Sequence, residues 1–500
     1  VNQLRPVFSV LSRRSFAVSA IAVLILGTGT ARAQEPAKSP APEQSKAANS
    51  GPGTAKDVKG SDASGATPAA GSPAAPAPAP AKAASPVPIG DRLRSAVGIL
   101  LILGGCYAVS SNRKAISLRI VFWGLVLQWA LAYVVLSDPT GQQILKWTGD
   151  KVEKLIECSY AGSAFVFGAE ATKPNGNIGF VFAFRVLPTV IFMSALFAIL
   201  YHIKVMPFVV GKIAWVMKRV MGISGAESLS VAASIFLGQT EAPLTIRPFL
   251  AKLTRSELLL VMAAGMSHVS GGIMGAYFAF GIESQHILTA VLMTAPGTIL
   301  ICKILIPETE SPETLGYIHH ESLEQDTNVL DAASRGTRDG LFLALNIAAM
   351  LISFISLITL ANLLLGAIGG YVAGFSGYGS NLSLQSILGV FLSPVAWLMG
   401  IPWSEASQSG SLLGTRTIVN ELIAYEGLSK FKESFHPRTF AMMSFALCGF
   451  ANLGSIGIQL GGIGALAPEI RHKLAQLGLK AMIAGTLANY LSACIVGIIL

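Results

Sequence analysis

Charge is what this 500-residue chain has least of: Asp, Glu, Lys and Arg together make 13%, about half of the ~25% found in soluble domains. Hydrophobic residues make 52% and the mean hydropathy is +0.59, which leaves too little polar surface to keep such a chain in solution. That balance excludes an ordinary cytosolic enzyme, a disordered chain and a fibre. Cysteine is also scarce. Cys106, Cys158, Cys302, Cys448 and Cys494 stand far apart with no CxxC or CxxH spacing, so neither a zinc site nor a disulfide framework is indicated. The formal net charge of +9 would suggest nucleic acid in a soluble protein. In a chain this apolar, Lys and Arg belong to cytoplasmic loops, and no nucleic-acid partner is expected. What remains is an all-α polytopic membrane protein.

The N-terminal region reads as address and spacer. Ser12-Arg13-Arg14-Ser15-Phe16 precedes an apolar run from Ala17 to Gly27, and Ala31-Arg32-Ala33 follows. A basic segment, a short apolar core and a small-x-small site make 1–33 a twin-arginine-like signal peptide. The alternative is a first transmembrane helix, but the run falls short of the ~20 residues that a span needs. Residues 34–90 are dominated by Ala, Pro, Gly, Ser and Lys, and so are expected to be a disordered periplasmic tail.

Beyond the tail, apolar helices are readable at about 95–110, 119–137, 178–202, 256–281, 286–306, 341–366, 439–465 and 477–500, which gives eight candidate spans. Arg113, Lys114 and Arg119 follow the first, His202, Lys204, Lys212, Lys218 and Arg219 the third, and Arg471, Lys473 and Lys480 precede the last. With these sides cytoplasmic, the tail and the C-terminus are both periplasmic, in agreement with an exported N-terminus. Amphipathic pieces near Asp150–Phe167, Val209–Met221 and Asn328–Gly340 suit the membrane interface. The acidic 307–331 connector suits a solvated loop.

Two apolar stretches are not simple spans. Ile223 to Leu250 contains Gly238-Gln239-Thr240-Glu241-Ala242-Pro243-Leu244, and Leu384 to Leu428 contains Ser404, Glu405, Arg416, Asn420 and Glu421. Apolar arms around a polar centre are the pattern of a re-entrant hairpin, whose backbone leaves the helix only where protein or a wet cavity receives it. Each is followed by a Gly/Ser-rich broken span, Gly265 to Tyr277 and Gly449 to Gly464. Span, hairpin and broken span thus occur twice, as in a transporter built from inverted repeats. The expected parts are 91–170, an N-terminal scaffold part; 171–275, a first repeat with hairpin 1; and 276–500, a C-terminal part with hairpin 2 and a broken helix.

The chemistry-bearing residues lie at these tips and breaks. A carboxylate at a helix centre costs about 2.5–3.5 kcal/mol on insertion scales, so Glu241 and Glu421 are functional candidates; the alternative is a structural carboxylate bonded to helix ends. Gln239 and Thr240 add an amide and a hydroxyl beside the first, and Asn420 an amide beside the second. Asn452, Ser455 and Gln459 punctuate the later span, where Gly449, Gly454, Gly457, Gly461 and Gly462 either let the helix unwind or serve close packing. Phe450 offers an aromatic face or simply a core side chain. Amide, hydroxyl and carboxylate groups without a cluster of cations favour a neutral, polar cargo rich in hydrogen-bond donors.

In these motifs the chain resembles the concentrative nucleoside transporters. The resemblance covers roughly residues 93–500 and rests on GQTEAPL at 238–244, RPFLAKLTRSEL at 247–258, GGIMGAY at 271–277, NELIAY at 420–425 and GFANLGSIGIQLGGIGALAPE at 449–469. It implies a homotrimer in the bacterial inner membrane. Each protomer would have eight spans, two opposed re-entrant hairpins, three interfacial helices and a transport domain that moves as an elevator. It also implies that Gln239, Thr240 and Glu241 meet the nucleobase directly or through water, that Glu421, Asn452 and Ser455 bind the ribose hydroxyls, and that Phe450 packs near the base.

The departure from the family lies at the ion site. Positions that hold sodium in sodium-coupled members correspond here to Ser234, Leu237, His268 and Val269. An Asn side chain has become Ser and a Ser has become His. Sodium prefers oxygen ligands, whereas an imidazole takes up a proton near neutral pH. Nucleoside symport coupled to protons, or only weakly dependent on sodium, is therefore the expectation. Sodium-coupled symport and an uncoupled facilitator are the alternatives, and His268 can also be a neutral side chain satisfied by a carbonyl. No cofactor is expected beyond the coupling ion, H+ or Na+. An intramembrane enzyme is disfavoured because no nucleophile–base spacing and no metal motif is present.

Overall fold

The computed structural model describes residues 87–172, 181–314, 326–376 and 382–500. The signal expected at 1–33, nearly all of the tail at 34–90, the first residues of the 178–202 span and the middle of the acidic connector lie outside the described residues. Among the described residues the chain is helical with no strand. The order is α1 (Ile89–Ala108), α2 (Leu118–Leu136), α3 (Pro139–Phe167), α4 (Ala169–Thr172), α5 (Phe182–His202), α6 (Val205–Met221), α7 (Gly225–Ser234), a 3-10 segment (Ala242–Lys252), α8 (Arg255–Ser267), α9 (Gly271–Ala279) and α10 (Ser284–Leu305). Then come α11 (Val329–Ser376), α12 (Leu384–Leu398), α13 (Trp403–Ile418), α14 (Glu421–Ser429), α15 (Pro437–Ala446), α16 (Leu453–Leu466) and α17 (Arg471–Ile499).

Five helical stretches among the described residues are long and apolar enough to cross a membrane: Leu118–Leu136, Phe182–His202, Arg255–Ala279, Ser284–Leu305 and Pro468–Ile499. The pair α12 and α13, bent by 118°, makes a sixth if counted as one. The other expected spans are helical too, with differences that have causes. Helix α1 opens with Asp91, Arg92 and Arg94 before it becomes apolar. The 341–366 span is the middle of one continuous 48-residue helix, α11. The 439–465 span is split into α15 and α16.

The element order recurs. A long helix (α5, α11) leads to a shorter one (α6, α12), a two-armed segment (α7 with the 3-10 turns, α13 with α14), a broken pair (α8–α9, α15–α16) and a closing helix (α10, α17). Within 384–428 the chain forms three helices: α12 is closed off by Gly400 at φ +101° and Pro402 and is bent by 118° against α13, and α13 meets α14 at Val419–Asn420. Glu405 belongs to the far end of α13, where its Oε1 accepts the His436 N–H at 3.0 Å.

The broken pairs form the interior. Helix α17 packs on α8, α10 and α15, and α5 runs along α11. Buried residues make up 89% of the apolar window of Arg255–Ala279 against 22% for Leu118–Leu136, so the first is enclosed by protein while the second presents most of itself outward. The inner helices start on matched signals. Ser224 with Glu227 caps α7, and Thr254 with Glu257 caps α8, each pair satisfying N–H groups that a helix start leaves open. The Ser224 hydroxyl also donates to Glu257 at 2.6 Å, and buried Lys303 reaches Glu227 at 2.5 Å and the Ser256 hydroxyl at 2.8 Å. These contacts lock the base of hairpin 1 to α8 and α10.

Candidate functional site

Two helix breaks meet in the interior. After Ser267 the backbone is extended through His268 until α9 starts at Gly271. After α15 it turns through Gly449, at φ +121°, until α16 starts at Leu453. An added Cβ at Gly449 would lie 2.5 Å from the Ser267 carbonyl oxygen, so only glycine lets the two strands of backbone come this close. The Phe450 N–H donates to the His268 carbonyl at 3.3 Å, and the Gly271 N–H donates to the Phe236 carbonyl at the end of hairpin 1's first arm, at 2.9 Å. Non-helical backbone at membrane depth is thereby enclosed and bonded.

Glu421 stands at the first position of α14 and is 4% exposed. Its Oε1 accepts the Tyr277 hydroxyl at 3.2 Å and its Oε2 accepts Asn452 Nδ2 at 3.4 Å. Asn452 does two things: its Oδ1 caps α16 by accepting the Ser455 N–H at 2.9 Å while its amide nitrogen serves Glu421. Asn420 likewise caps α14 through the Ile423 N–H at 2.9 Å. Helix starts carry partial positive charge, which suits a carboxylate at the first turn of α14. Ser455 then accepts Gln239 Nε2 at 3.2 Å, which ties hairpin 1's tip to α16. Thr240 lies against Gly462, where an added Cβ would approach the Thr240 methyl to 2.5 Å.

Four of the seven expected substrate residues, Gln239, Glu421, Asn452 and Ser455, thus form one bonded chain. Thr240 packs against Gly462 of the same α16, and the Phe450 N–H is bonded to His268, neither of them side-chain hydrogen-bonded to these four. Glu241 is placed differently. It is exposed at the turn, and its Oε2 accepts the Gly238 N–H of its own hairpin at 2.5 Å. Two further side chains belong here. Tyr277 orients Glu421, and Gln459, which donates to the Met262 carbonyl at 2.9 Å, keeps a buried Oε1 without a partner beside the equally unpartnered Oε1 of Gln239. In the sequence Tyr277 is marked only as the last residue of GGIMGAY and as a hydroxyl in an apolar run. A carboxylate has about four acceptor positions; that of Glu421 receives Tyr277, Asn452 and its own backbone N–H and keeps capacity for a further donor. The arrangement can accept from a hydroxyl while offering amide groups a short way off.

The four expected ion positions fall on the two segments that the Gly271–Phe236 bond joins. Ser234 ends α7 with its hydroxyl turned to the Ser230 carbonyl at 2.8 Å, and the Leu237 N–H donates to the Ala233 carbonyl at 2.8 Å. His268 and Val269 are buried in the first break. The His268 Nδ1–H donates to the Ala264 carbonyl at 2.8 Å, with the Ser267 hydroxyl 3.1 Å away, and Nε2 is buried without a hydrogen-bond partner.

Comparison with known proteins gives the arrangement a family. Residues 97–170 match the Na+ dependent nucleoside transporter N-terminus, 183–283 the nucleoside recognition (Gate) model and 286–497 the Na+ dependent nucleoside transporter C-terminus. The uncharacterized transporter YutK of Bacillus subtilis is 42% identical over 404 residues, 80% of this chain and 98% of that protein. Nucleoside permease NupC of Helicobacter pylori is 37% identical over 414 residues, 81% and 97% of the two chains. Sodium/nucleoside cotransporter 1 of Rattus norvegicus is 38% identical over 425 residues, 82% of this chain and 64% of that one. The solved structure of CNTnw in an inward-facing substrate-bound state superposes with a TM-score of 0.75 at 40% identity over 82% of this chain and 98% of that one. An outward-facing variant of CNTnw superposes at 0.78, also at 40% identity, over 83% and 99%. These relatives are transporters and not enzymes, and the chain belongs to the concentrative nucleoside transporter family.

Proposed function

We propose that the chain is an ion-coupled nucleoside symporter of the bacterial inner membrane. The observation that carries the reading is the Glu421 cluster: a buried carboxylate with acceptor capacity to spare, bonded through Asn452 and Ser455 to the Gln239 amide. In this reading Glu421, Asn452 and Ser455 take the ribose hydroxyls. Gln239, Thr240 and Glu241 meet the base directly or through water, and Phe450 packs near it. A missing hydroxyl would leave the carboxylate unpaired, which is how such a site rejects analogues. Relatives named as a nucleoside permease and as sodium/nucleoside cotransporters support the assignment.

The accompanying architecture is eight spans, two opposed re-entrant hairpins, three interfacial helices and inverted repeats, working by an elevator-type alternating access. The recurrent element order of α5–α10 and α11–α17 supports it. We assign 91–170 to the scaffold, 171–275 to the first repeat and 276–500 to the C-terminal part. A twin-arginine-like signal peptide at 1–33, a periplasmic tail and C-terminus, and a homotrimer complete the reading. The exposed apolar residues of α11, among them Ile352, Leu360 and Leu364, suit lipid or a neighbouring protomer.

Coupling is assigned to Ser234, Leu237, His268 and Val269, with a proton as the driving ion or sodium only weakly effective, because His268 places an imidazole where the family's sodium site has oxygen. One observation favours a second reading. The bond from Nδ1 to the Ala264 carbonyl is what a neutral, packed histidine makes, and a transporter with such a site would equilibrate nucleoside without accumulating it. Uptake of labelled uridine and adenosine into proteoliposomes, with sodium and proton gradients imposed separately, decides. Accumulation driven by the proton gradient is expected. Accumulation under sodium alone with no response to pH contradicts proton coupling, and equilibration without accumulation supports the uncoupled reading.

A further inference from the structure

We propose that Arg416 is a positioning residue that ties the substrate pocket to the ion positions, with Asn489 as its relay. The inference rests on the proposed reading of Glu421 and His268 as belonging to those two sites. Arg416 lies in the last turn of α13, one short tip before Glu421, and is 0% exposed. Its Nη2 donates to Asn489 Oδ1 at 2.5 Å and its Nε to the Gly449 carbonyl at 3.4 Å. Asn489, on α17, passes the connection on: its Nδ2 donates to the Ser267 carbonyl at 3.0 Å and reaches the Thr294 hydroxyl at 3.2 Å. Ser267 is itself held by the Thr298 hydroxyl at 2.7 Å and touches His268 Nδ1 through its own hydroxyl at 3.1 Å.

Helix breaking explains why these donors are needed. In an unbroken helix the Ser267 carbonyl would receive the N–H of Gly271, but that N–H is spent on Phe236. The Ser267 and Gly449 carbonyls are both backbone acceptors at a break, deep in the protein, and such groups must be paired. One guanidinium and one amide pair both of them. Since α8–α9 and α15–α16 are the two broken pairs, a shift at either break moves the same two side chains.

A packing role alone accounts poorly for this choice of residue. A buried ionic side chain can often be replaced by an apolar one of similar size without loss of stability, and Arg stays charged wherever it is placed. Here its hydrogen-bond partners are neutral groups, the Gly449 carbonyl, Asn489 and Tyr490, and its charge stands one short tip before Glu421. A fixed cation behind a substrate carboxylate keeps that carboxylate an acceptor for hydroxyls. Neither Arg416 nor Asn489 needs to touch nucleoside or ion to influence both.

The test uses the full chain in proteoliposomes, with Arg416→Met, Arg416→Lys and Asn489→Leu beside the wild type. Uridine KM and the midpoint of cation activation (pH without sodium, then sodium at fixed pH) are measured with the melting temperature of each protein. Arg416→Met is expected to raise the uridine KM roughly tenfold, the effect of removing one charged hydrogen-bonding group, and to move the activation midpoint as well. Arg416→Lys should restore part of both. Asn489→Leu should move the activation midpoint at a melting temperature close to that of the wild type. Variants that lose only transport rate, with KM and midpoint unchanged, overturn the proposal, as does unfolding of all three, which would make the pair purely structural. A wild type that neither takes up nor binds uridine would instead overturn the nucleoside reading and leave the two failures distinct.

Discussion

Changing Glu421 to Gln keeps the shape of the side chain and removes its charge, so it isolates what the carboxylate contributes. In the structure that carboxylate already accepts Tyr277 at 3.2 Å and Asn452 at 3.4 Å, and in the proposed reading its remaining acceptor capacity takes ribose hydroxyls. In the variant one oxygen becomes an NH2 group: turned to Asn452 or to the ribose it sets donor against donor, and turned to Tyr277 it can donate to the hydroxyl, so in every orientation an acceptor is lost. A hydrogen bond to a charged group is worth about 1.5–3 kcal/mol net. At about 1.4 kcal/mol per factor of ten, losing one such bond weakens uridine binding roughly ten- to hundredfold. The assay is competition of labelled uridine uptake by uridine, 2′-deoxyuridine and 3′-deoxyuridine, in wild type and Glu421→Gln, read as a double-mutant cycle. The wild type should penalise each missing hydroxyl strongly, and the variant should discriminate far less. If the variant weakens uridine and its deoxy analogues by one common factor, or leaves all of them unchanged, the carboxylate does not hold the ribose.

Three further outcomes follow from the geometry. Gly449→Ala places a methyl 2.5 Å from the Ser267 carbonyl at a φ of +121°; a strained backbone position of this kind costs about 1–3 kcal/mol before the clash is counted, so lower melting temperature and lost uptake are expected, and wild-type behaviour of both would contradict the close approach of the breaks. Lys303→Met strands the buried Glu227 carboxylate and should cost about 3–5 kcal/mol, with the double change to Lys303→Met and Glu227→Gln recovering part of the loss in thermal unfolding; no recovery would show that the pair does not act through charge. Arg335 donates to Asp326 at 2.7 and 2.9 Å and holds that carboxyl below its usual range. Because the folded value is the lower one, this support for the start of α11 is present above the ordinary carboxylate value of about 3.9 and is lost as pH falls through the lowered value. Protection factors of residues 328–340, corrected for intrinsic exchange, should therefore fall in acid, and Asp326→Asn should show the same fall near neutral pH; equal protection in variant and wild type would rule the pair out.

Much of the fold is legible in residue order because the membrane restricts the options. Apolar length marks α2, α5, α10 and α17, and Gly/Ser content marks both breaks, since unwinding needs small residues and local hydrogen bonds. The limits of hairpin 2 are less legible. Leu384–Leu398 is as apolar as a hairpin arm, and only Gly400 and Pro402 hint that it is a separate helix. The continuity of α11 is hidden for the opposite reason: its first turns carry Asp331, Arg335, Arg338 and Asp339, which suppress an apolar signal without breaking the helix. At the site, Gln239, Glu421, Asn452 and Ser455 are readable as polar groups in apolar surroundings. Tyr277, Arg416 and Asn489 are not readable as partners, because what brings them together is contact between segments 144 residues apart for Tyr277 with Glu421 and 73 apart for Arg416 with Asn489. Glu241 shows the reverse limit. Its position in the motif marks it as a substrate residue, while its carboxylate is folded back onto Gly238.

The most direct measurement is an electron cryo-microscopy map of the full chain with bound uridine. The ribose is expected within hydrogen-bond distance of Glu421, Asn452 and Ser455, with the base against Gln239 and Thr240. Density for uridine on another surface, with the Glu421 cluster still closed on its own partners, would contradict the account.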